Sequence, residues 1–505
     1  MAPGEEIEPV PDINSIPSPV LIAPSQVISP RPANELFREK MTLPKNELIL
    51  SHMSNPWSII RRIVGLVIIT YLLSQSILMI FFGLYIGELD GIIMSYIGLF
   101  CSFPLLFIFF WIRRPRLIHV KLAIPDESGK KAHILPNNET LVTPIPTTFS
   151  HHLVNDSGLL DMPPSKNLWL IFASAMIISL LIFIALLNNP SDLVVIITIV
   201  FVIPTWLAGF SIPVFAWWSY SARSLNMPTT GFRAESALVA GMICTIPALL
   251  INTSGNIFFG GIFGLDSPIT QMILLALIAP IGEEICKLAA IWWCKEYIDS
   301  PRRGFEIGIT VGLGFAMLEN LQYIALSWTG GPLSFTLTSL IRAIGSIPGH
   351  ALWTGLTGIG FAWYLLRNNN QHNDLEEENT IKENKWQLID SKTNKILETT
   401  IENKNNSREI ENHENLFIIK KDEEVSSSTN NLPNNLSFGL ILAIIGHSFW
   451  NGSSFLVDYM SRTITSNIII STIASILWIM ILISGLLLIG RFILKNVILL
   501  PDKMV

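Results

Sequence analysis

Apolar runs long enough to cross a bilayer recur through this chain, and they restrict its fold more than any other feature. A helical span needs ~20 apolar residues. Stretches at 58–82, 91–112, 167–187, 194–217, 235–252, 269–295, 305–328, 334–366, 437–457 and 467–493 reach or approach that length. Backbone polar groups in lipid must be satisfied within the segment itself, which makes such runs helices. The expected fold is all-α, a polytopic transmembrane helix bundle of about ten spans. Half of the residues are hydrophobic and 14% are charged, with a mean hydropathy of +0.48, which excludes an ordinary soluble domain.

Lys and Arg alternate between the connections. Arg61 and Arg62 stand at the start of the first run; Arg113, Arg114, Arg116, Lys121, Lys130, Lys131 and Lys166 follow the second; Arg223 and Arg233 follow the fourth; Lys295 ends the sixth, and Arg302 and Arg303 follow it. The intervening loops lack them, apart from Arg462. Cytoplasmic loops carry this excess, so both termini are expected in the cytoplasm. The net charge of -6 points to no nucleic-acid partner. Cys101, Cys244, Cys286 and Cys294 sit in apolar segments without metal-type spacing and read as small core hydrophobes.

Five regions follow. Residues 1–55, rich in proline, are expected to be a disordered cytoplasmic tail, with no signal peptide ahead of the first run. Residues 56–217 hold the N-terminal spans with a polar cytoplasmic insert at 113–166, and 235–366 hold a core. Residues 367–436, rich in Asn, Glu, Lys and Ser, read as a disordered cytoplasmic linker, and 437–495 hold the closing spans.

The core is marked by charges where lipid should exclude them. Glu283, Glu284 and Lys287 interrupt the run 269–295, Glu319 and Asn320 the next, Arg342 and His350 the one after, and His447 and Asn451 the ninth. By helix rise, Glu283 and Glu284 lie ~20 Å from the outer end of their run, Glu319 ~20 Å and His447 ~15 Å from inner ends, and His350 ~24 Å from an outer end. All fall near the middle of a ~30 Å hydrocarbon core. Singly, each has a structural explanation: Lys287 as the i,i+4 partner of Glu283, Arg342 as compensation for an acid, Asn320 as a link between helices. The Gly304, Gly308, Gly312 series reads as a packing stripe, and Pro348-Gly349 as a kink before His350. Together, three acids, two histidines and an amide at one depth point to a functional pocket.

Such a set can activate water. A carboxylate stripped of solvent is a stronger base, and His and Glu ligands suit Zn²⁺. A His and an Asn one turn apart can donate to an oxyanion. No GxSxG or HExxH motif occurs, which excludes the soluble zinc-protease pattern and leaves a serine mechanism unsupported. A proton- or cation-coupled transporter and a non-enzymatic scaffold are the competing readings.

These residues also carry a resemblance. EEICK (Glu283, Glu284, Lys287), FAMLEN (Phe315, Glu319, Asn320), Arg342 with His350, and HSFWN (His447, Asn451) stand in the order of the EExxK, FxxxEN, third and HxxxN motifs of the PrsW family of intramembrane proteases. That family is a branch of the group that includes the CAAX prenyl proteases, so CAAX-type prenyl-protein cleavage is an alternative activity. The resemblance implies a helix bundle around a water-filled site that hydrolyses peptide bonds at membrane depth. It also implies a multi-pass protein of the plasma membrane and a membrane-anchored, anti-sigma-factor-like protein substrate. The catalytic residues implied are Glu283 as general base or metal-associated acid with Glu284 beside it, Glu319 and His350 holding water or metal, and His447 and Asn451 stabilising the oxyanion. A zinc ion, if used, is expected on Glu319, His350 and His447; a metal-free glutamate mechanism is the alternative.

Overall fold

The computed structural model describes residues 56–114, 117–134, 140–155, 158–188, 191–380, 388–389, 396–397 and 432–500. The predicted tail at 1–55 and most of the predicted linker at 367–436 lie outside them. The chain opens with α1 (Pro56–Ile86) and α2 (Leu89–Arg113), an antiparallel pair in close contact at Gly83 with Gly91 and at Gly98 with Ser76. The predicted polar insert contains a hairpin, β1 (Leu117–Ile134) paired with β2 (Thr140–Asn155) from Leu117↔Asn155 onward.

Two long helices follow, α3 (Ser165–Asn188) and α4 (Asp192–Leu225), then α5 (Gly231–Phe263). The sixth predicted span is divided: α6 (Pro268–Ile273), a π-turn at Leu274–Ile278, and α7 (Ala279–Trp293). Next come α8 (Pro301–Ser327), α9 (Gly331–Ile341), a second π-turn at Arg342–Ser346 and α10 (Ile347–Thr380). A short pair, β3 (Leu388–Ile389) with β4 (Ile396–Leu397), precedes α11 (Leu436–Ile464) and α12 (Ile468–Val497).

Among the described residues, eight helical stretches are long and apolar enough to cross a membrane. The sequence suggested about ten spans. One of the eight, Pro301–Asn368, takes in two of those expected, and the π-turn leaves α7 only 15 residues long. The fold is otherwise the expected helix bundle, with the hairpin added to it.

The centre of the bundle is α8, buried without a break from Arg303 to Leu318. A helix that is buried on every side needs partners all round. Gly304, Gly308 and Gly312 face the backbone of α10 at Gly358, Thr354 and His350, an antiparallel contact with no room for a side chain on α8. The predicted packing stripe thus sets where His350 stands. At the start of α5, buried Glu235 pairs with Arg62 at 3.2 Å and with Arg113 at 3.9 Å, tying α1 and α2 to the core. The lipid-type faces are elsewhere: α2 buries only Gly91, Gly98, Ser102 and Phe109. Cys101 is therefore exposed and not a core residue as the sequence suggested, whereas Cys244, Cys286 and Cys294 are buried.

Candidate active site

Two of the helices that deliver the charged residues, α7 and α10, carry a proline as their second residue. Pro280 and Pro348 have no N–H to give, and their rings crowd the carbonyls four residues back, at Ala276 and Ile344. Both of those carbonyls lie inside the π-turns, Leu274–Ile278 and Arg342–Ser346. The wider turn absorbs the clash without breaking the helix. Glu283 stands three residues beyond the first proline, and His350 two beyond the second.

Around them the bundle gathers acids, cations and imidazoles from α7, α8, α10 and α11. Lys287 and Glu284 are fully buried and bonded, Nζ to Oε1 at 2.7 Å. The sequence paired Lys287 with Glu283, but that contact is longer, at 3.8 Å. The Lys287 ammonium also donates to His350 Nδ1 at 2.8 Å and lies 4.1 Å from the centre of the Phe315 ring. An ammonium can only donate, so His350 Nδ1 accepts and its Nε2–H is directed to Glu319 Oε2, 3.0 Å away. Arg342 holds the same Glu319 oxygen at 2.6 Å, and its Nε donates to Asn320 Oδ1.

His447 is fixed from the other side. Its Nδ1 lies 3.0 Å from Glu284 Oε1 and its ring stacks on Trp353 at 4.8 Å. A carboxylate accepts, so Nδ1 carries the proton, and Nε2 of the neutral ring keeps a lone pair. That lone pair stands 3.7 Å from Glu283 Oε2, a buried oxygen without a hydrogen-bond donor. Two acceptors held this close call for a proton donor or a cation between them. Charge points the same way: Lys287 offsets Glu284 and Arg342 offsets Glu319, which leaves the third carboxylate, Glu283, in excess.

Five of the six predicted catalytic residues therefore meet: Glu283, Glu284, Glu319, His350 and His447. The two imidazole centres lie 4.9 Å apart. The sixth, Asn451, stands one turn past His447, half-buried and without a hydrogen bond among the described residues. Donor atoms of Glu283, His350 and His447 all lie within 4.8 Å of one another, a set that can take a metal ion. The acid in that set is Glu283; Glu319, expected as a ligand, has its Oε2 committed to Arg342 and His350.

Asn252 was not anticipated. It donates from Nδ2 to Glu283 Oε1 at 3.1 Å, from within α5. A predicted span ending at residue 252 left it at the edge of a loop, whereas α5 runs eleven residues further, to Phe263. A cavity of about 270 Å³ reaches this point, lined by Glu283, Glu319 and Asn252 together with Tyr71 and Ser74 of α1 and Tyr323 of α8. Tyr323, in its lining, is 48% exposed. The imidazoles are not in the lining.

Fold and site together define a polytopic membrane protein with an acid and histidine centre buried among its helices. Residues 234–376, which hold the first three motifs, match the family model described as PrsW family intramembrane metalloprotease. Over those residues the chain is similar to the PrsW family, and the match supports an intramembrane peptidase, a membrane-embedded hydrolase. No curated protein and no solved structure matches the chain.

Proposed function

We propose that the chain hydrolyses a peptide bond of a membrane-anchored protein with water activated by Glu283. One observation carries this reading: the third carboxylate, whose nearest cation is the Lys287 already bonded to Glu284, lines the cavity, and its unsatisfied oxygen stands 3.7 Å from His447 Nε2. A water placed between these acceptors donates to both. Glu283 then takes one of its protons as the oxygen adds to the scissile carbonyl, and returns it to the departing amine. Glu284 orients His447, and Lys287 bonds Glu284 and holds His350 in its tautomer. Glu319, braced by Arg342, holds His350. Asn451 has an amide free to donate to the developing oxyanion, while Asn252 fixes the Glu283 carboxylate in plane.

The residues present also fit a divalent metal. Glu283 Oε2 and His447 Nε2 are 3.7 Å apart, close to the ~3.3 Å edge that two zinc ligands span in a tetrahedron. Glu284 on the far nitrogen of His447 is the usual carboxylate partner of a metal-binding imidazole. Glu283 and His447 would hold the ion, and His350 would join them by giving up its bond to Lys287; the ion would supply a water ionised near neutral pH. The proposed substrate is an anti-sigma-factor-like anchored protein at the plasma membrane, as the family resemblance implies.

The test is reconstitution of the purified full-length chain with tagged single-span proteins, mapping any cut by mass spectrometry. The reading expects a cut within or beside the span that disappears in His447→Ala. Cutting that survives in the variant, or ion uptake by the proteoliposomes in place of cutting, would overturn it.

A further inference from the structure

Between α12 on one side and α3 and α4 on the other lies a second cavity, of about 410 Å³, whose lining shares no residue with the one at Glu283. Its volume is in the range of sites that hold small ligands. The walls are apolar and built. Trp217 donates its indole N–H to the Ala343 carbonyl at 2.8 Å, and its ring meets Trp169 and Tyr220 edge-on at 5.8 and 5.9 Å. Ile309 of α8 and Leu352 of α10 form the floor. Gly490 of α12 keeps it open, since a Cβ there would come within 2.8 Å of Leu352 Cδ1.

The polar end has one sign. Arg491 lines the cavity with its side chain exposed, and no carboxylate pairs with it among the described residues. The Tyr220 hydroxyl beside it likewise has no partner among them. No acidic residue lines the cavity. An apolar cavity walled by aromatic rings, with one guanidinium in its lining and no acid, is complementary to a ligand with an anionic head and a hydrocarbon tail. In a bundle of membrane-crossing helices the abundant molecule of that chemistry is a lipid. Aromatic rings gather at the membrane boundary, and basic pockets between helices take lipid headgroups.

We propose that this crevice binds one acyl chain of an anionic phospholipid, with the headgroup phosphate over Arg491. The inference is independent of the peptidase reading, because the two cavities share no lining residue and neither Arg491 nor Gly490 belongs to the acid and histidine centre. Its test is native mass spectrometry of the purified full-length protein equilibrated with equal amounts of phosphatidylglycerol and phosphatidylcholine. Wild type is expected to retain one phosphatidylglycerol in preference. Arg491→Gln should lose about five-fold of that preference, the ratio given by roughly 1 kcal/mol per basic side chain near an anionic headgroup, whereas Arg491→Lys should keep it. Gly490→Leu, which fills the slot, should lose both lipids. A thermal melt in detergent confirms that each variant is folded, and the wild-type competition stands alone should one fail. Equal retention of the two lipids by wild type, an unchanged preference in Arg491→Gln, or displacement of the bound lipid by inorganic phosphate alone would overturn the proposal.

Discussion

At the scale of single residues, the centre is a set of assignments that differ in how replaceable they are. Lys287 has no water to fall back on: it is fully buried between Glu284, Glu283 and His350. Removing one partner of such a pair leaves an uncompensated charge, so Lys287→Met is expected to cost ~3–5 kcal/mol of stability. The double variant Lys287→Met with Glu284→Gln should recover part of it, and thermal unfolding in detergent gives the comparison. Asn252 acts on the reaction and not on the fold. Losing its hydrogen bond to the Glu283 carboxylate removes ~1.5–3 kcal/mol of interaction, so Asn252→Ala should cut kcat by about ten- to a hundred-fold with little change in melting temperature. Unchanged kcat would show that the carboxylate is oriented without it. The sequence made the acids and histidines conspicuous because lipid does not tolerate them singly. It could not show which acid meets which cation: Glu283 and Glu284 are neighbours on one helix, and only the packing of α11 places His447 Nδ1 against Glu284 and leaves Nε2 to Glu283.

At the scale of elements, two devices bring those residues together, and each can be removed alone. The first is the close approach of α8 and α10. Gly312→Leu would drive a side chain into the backbone at His350, so activity and stability should both fall, whereas Gly485→Ala, with nothing within 4 Å, should change neither. Equal behaviour of the two variants in melting and cleavage assays would remove the stripe from the account. The second device is the pair of π-turns. A π-turn carries one residue more than an α-turn, so closing it rotates everything downstream by about 100°. Pro348→Ala removes the ring that opens the turn and is expected to turn His350 away from Glu319. Expression should persist while cleavage falls; full activity would mean that the turn does not depend on the proline. The glycine stripe and the Pro348 kink were legible because they rest on local sterics. The extra turns of α5 were not, since polar Asn252, Thr253, Ser254 and Asn256 look like a loop until α7 is seen beside them.

At the scale of the whole molecule, the centre sets three carboxylates against two cations, Lys287 and Arg342, beside a cavity whose lining includes α1, outside the segment that matches the family. An excess carboxylate beside two imidazoles should also draw a cation. Elemental analysis of the purified protein tests whether it does: a zinc bound there would be present at about one per chain, lost in Glu283→Gln and in His447→Ala but kept in Glu319→Gln, since Glu319 faces Arg342. Retention in all three would place any metal elsewhere. The bundle itself was readable from hydropathy, and the meeting of four distant motifs from their matching depths. The hairpin in the polar insert was passed over because its alternation was short and mixed with prolines. The most direct measurement is kcat for Glu283→Gln beside Glu284→Gln and wild type on one mapped substrate, with each protein shown to be folded. The account predicts that Glu283→Gln loses at least ~10²-fold, the share of general-base catalysis, while its melting temperature stays close to wild type. A Glu283→Gln enzyme that still cuts within ten-fold of the wild-type rate would contradict it.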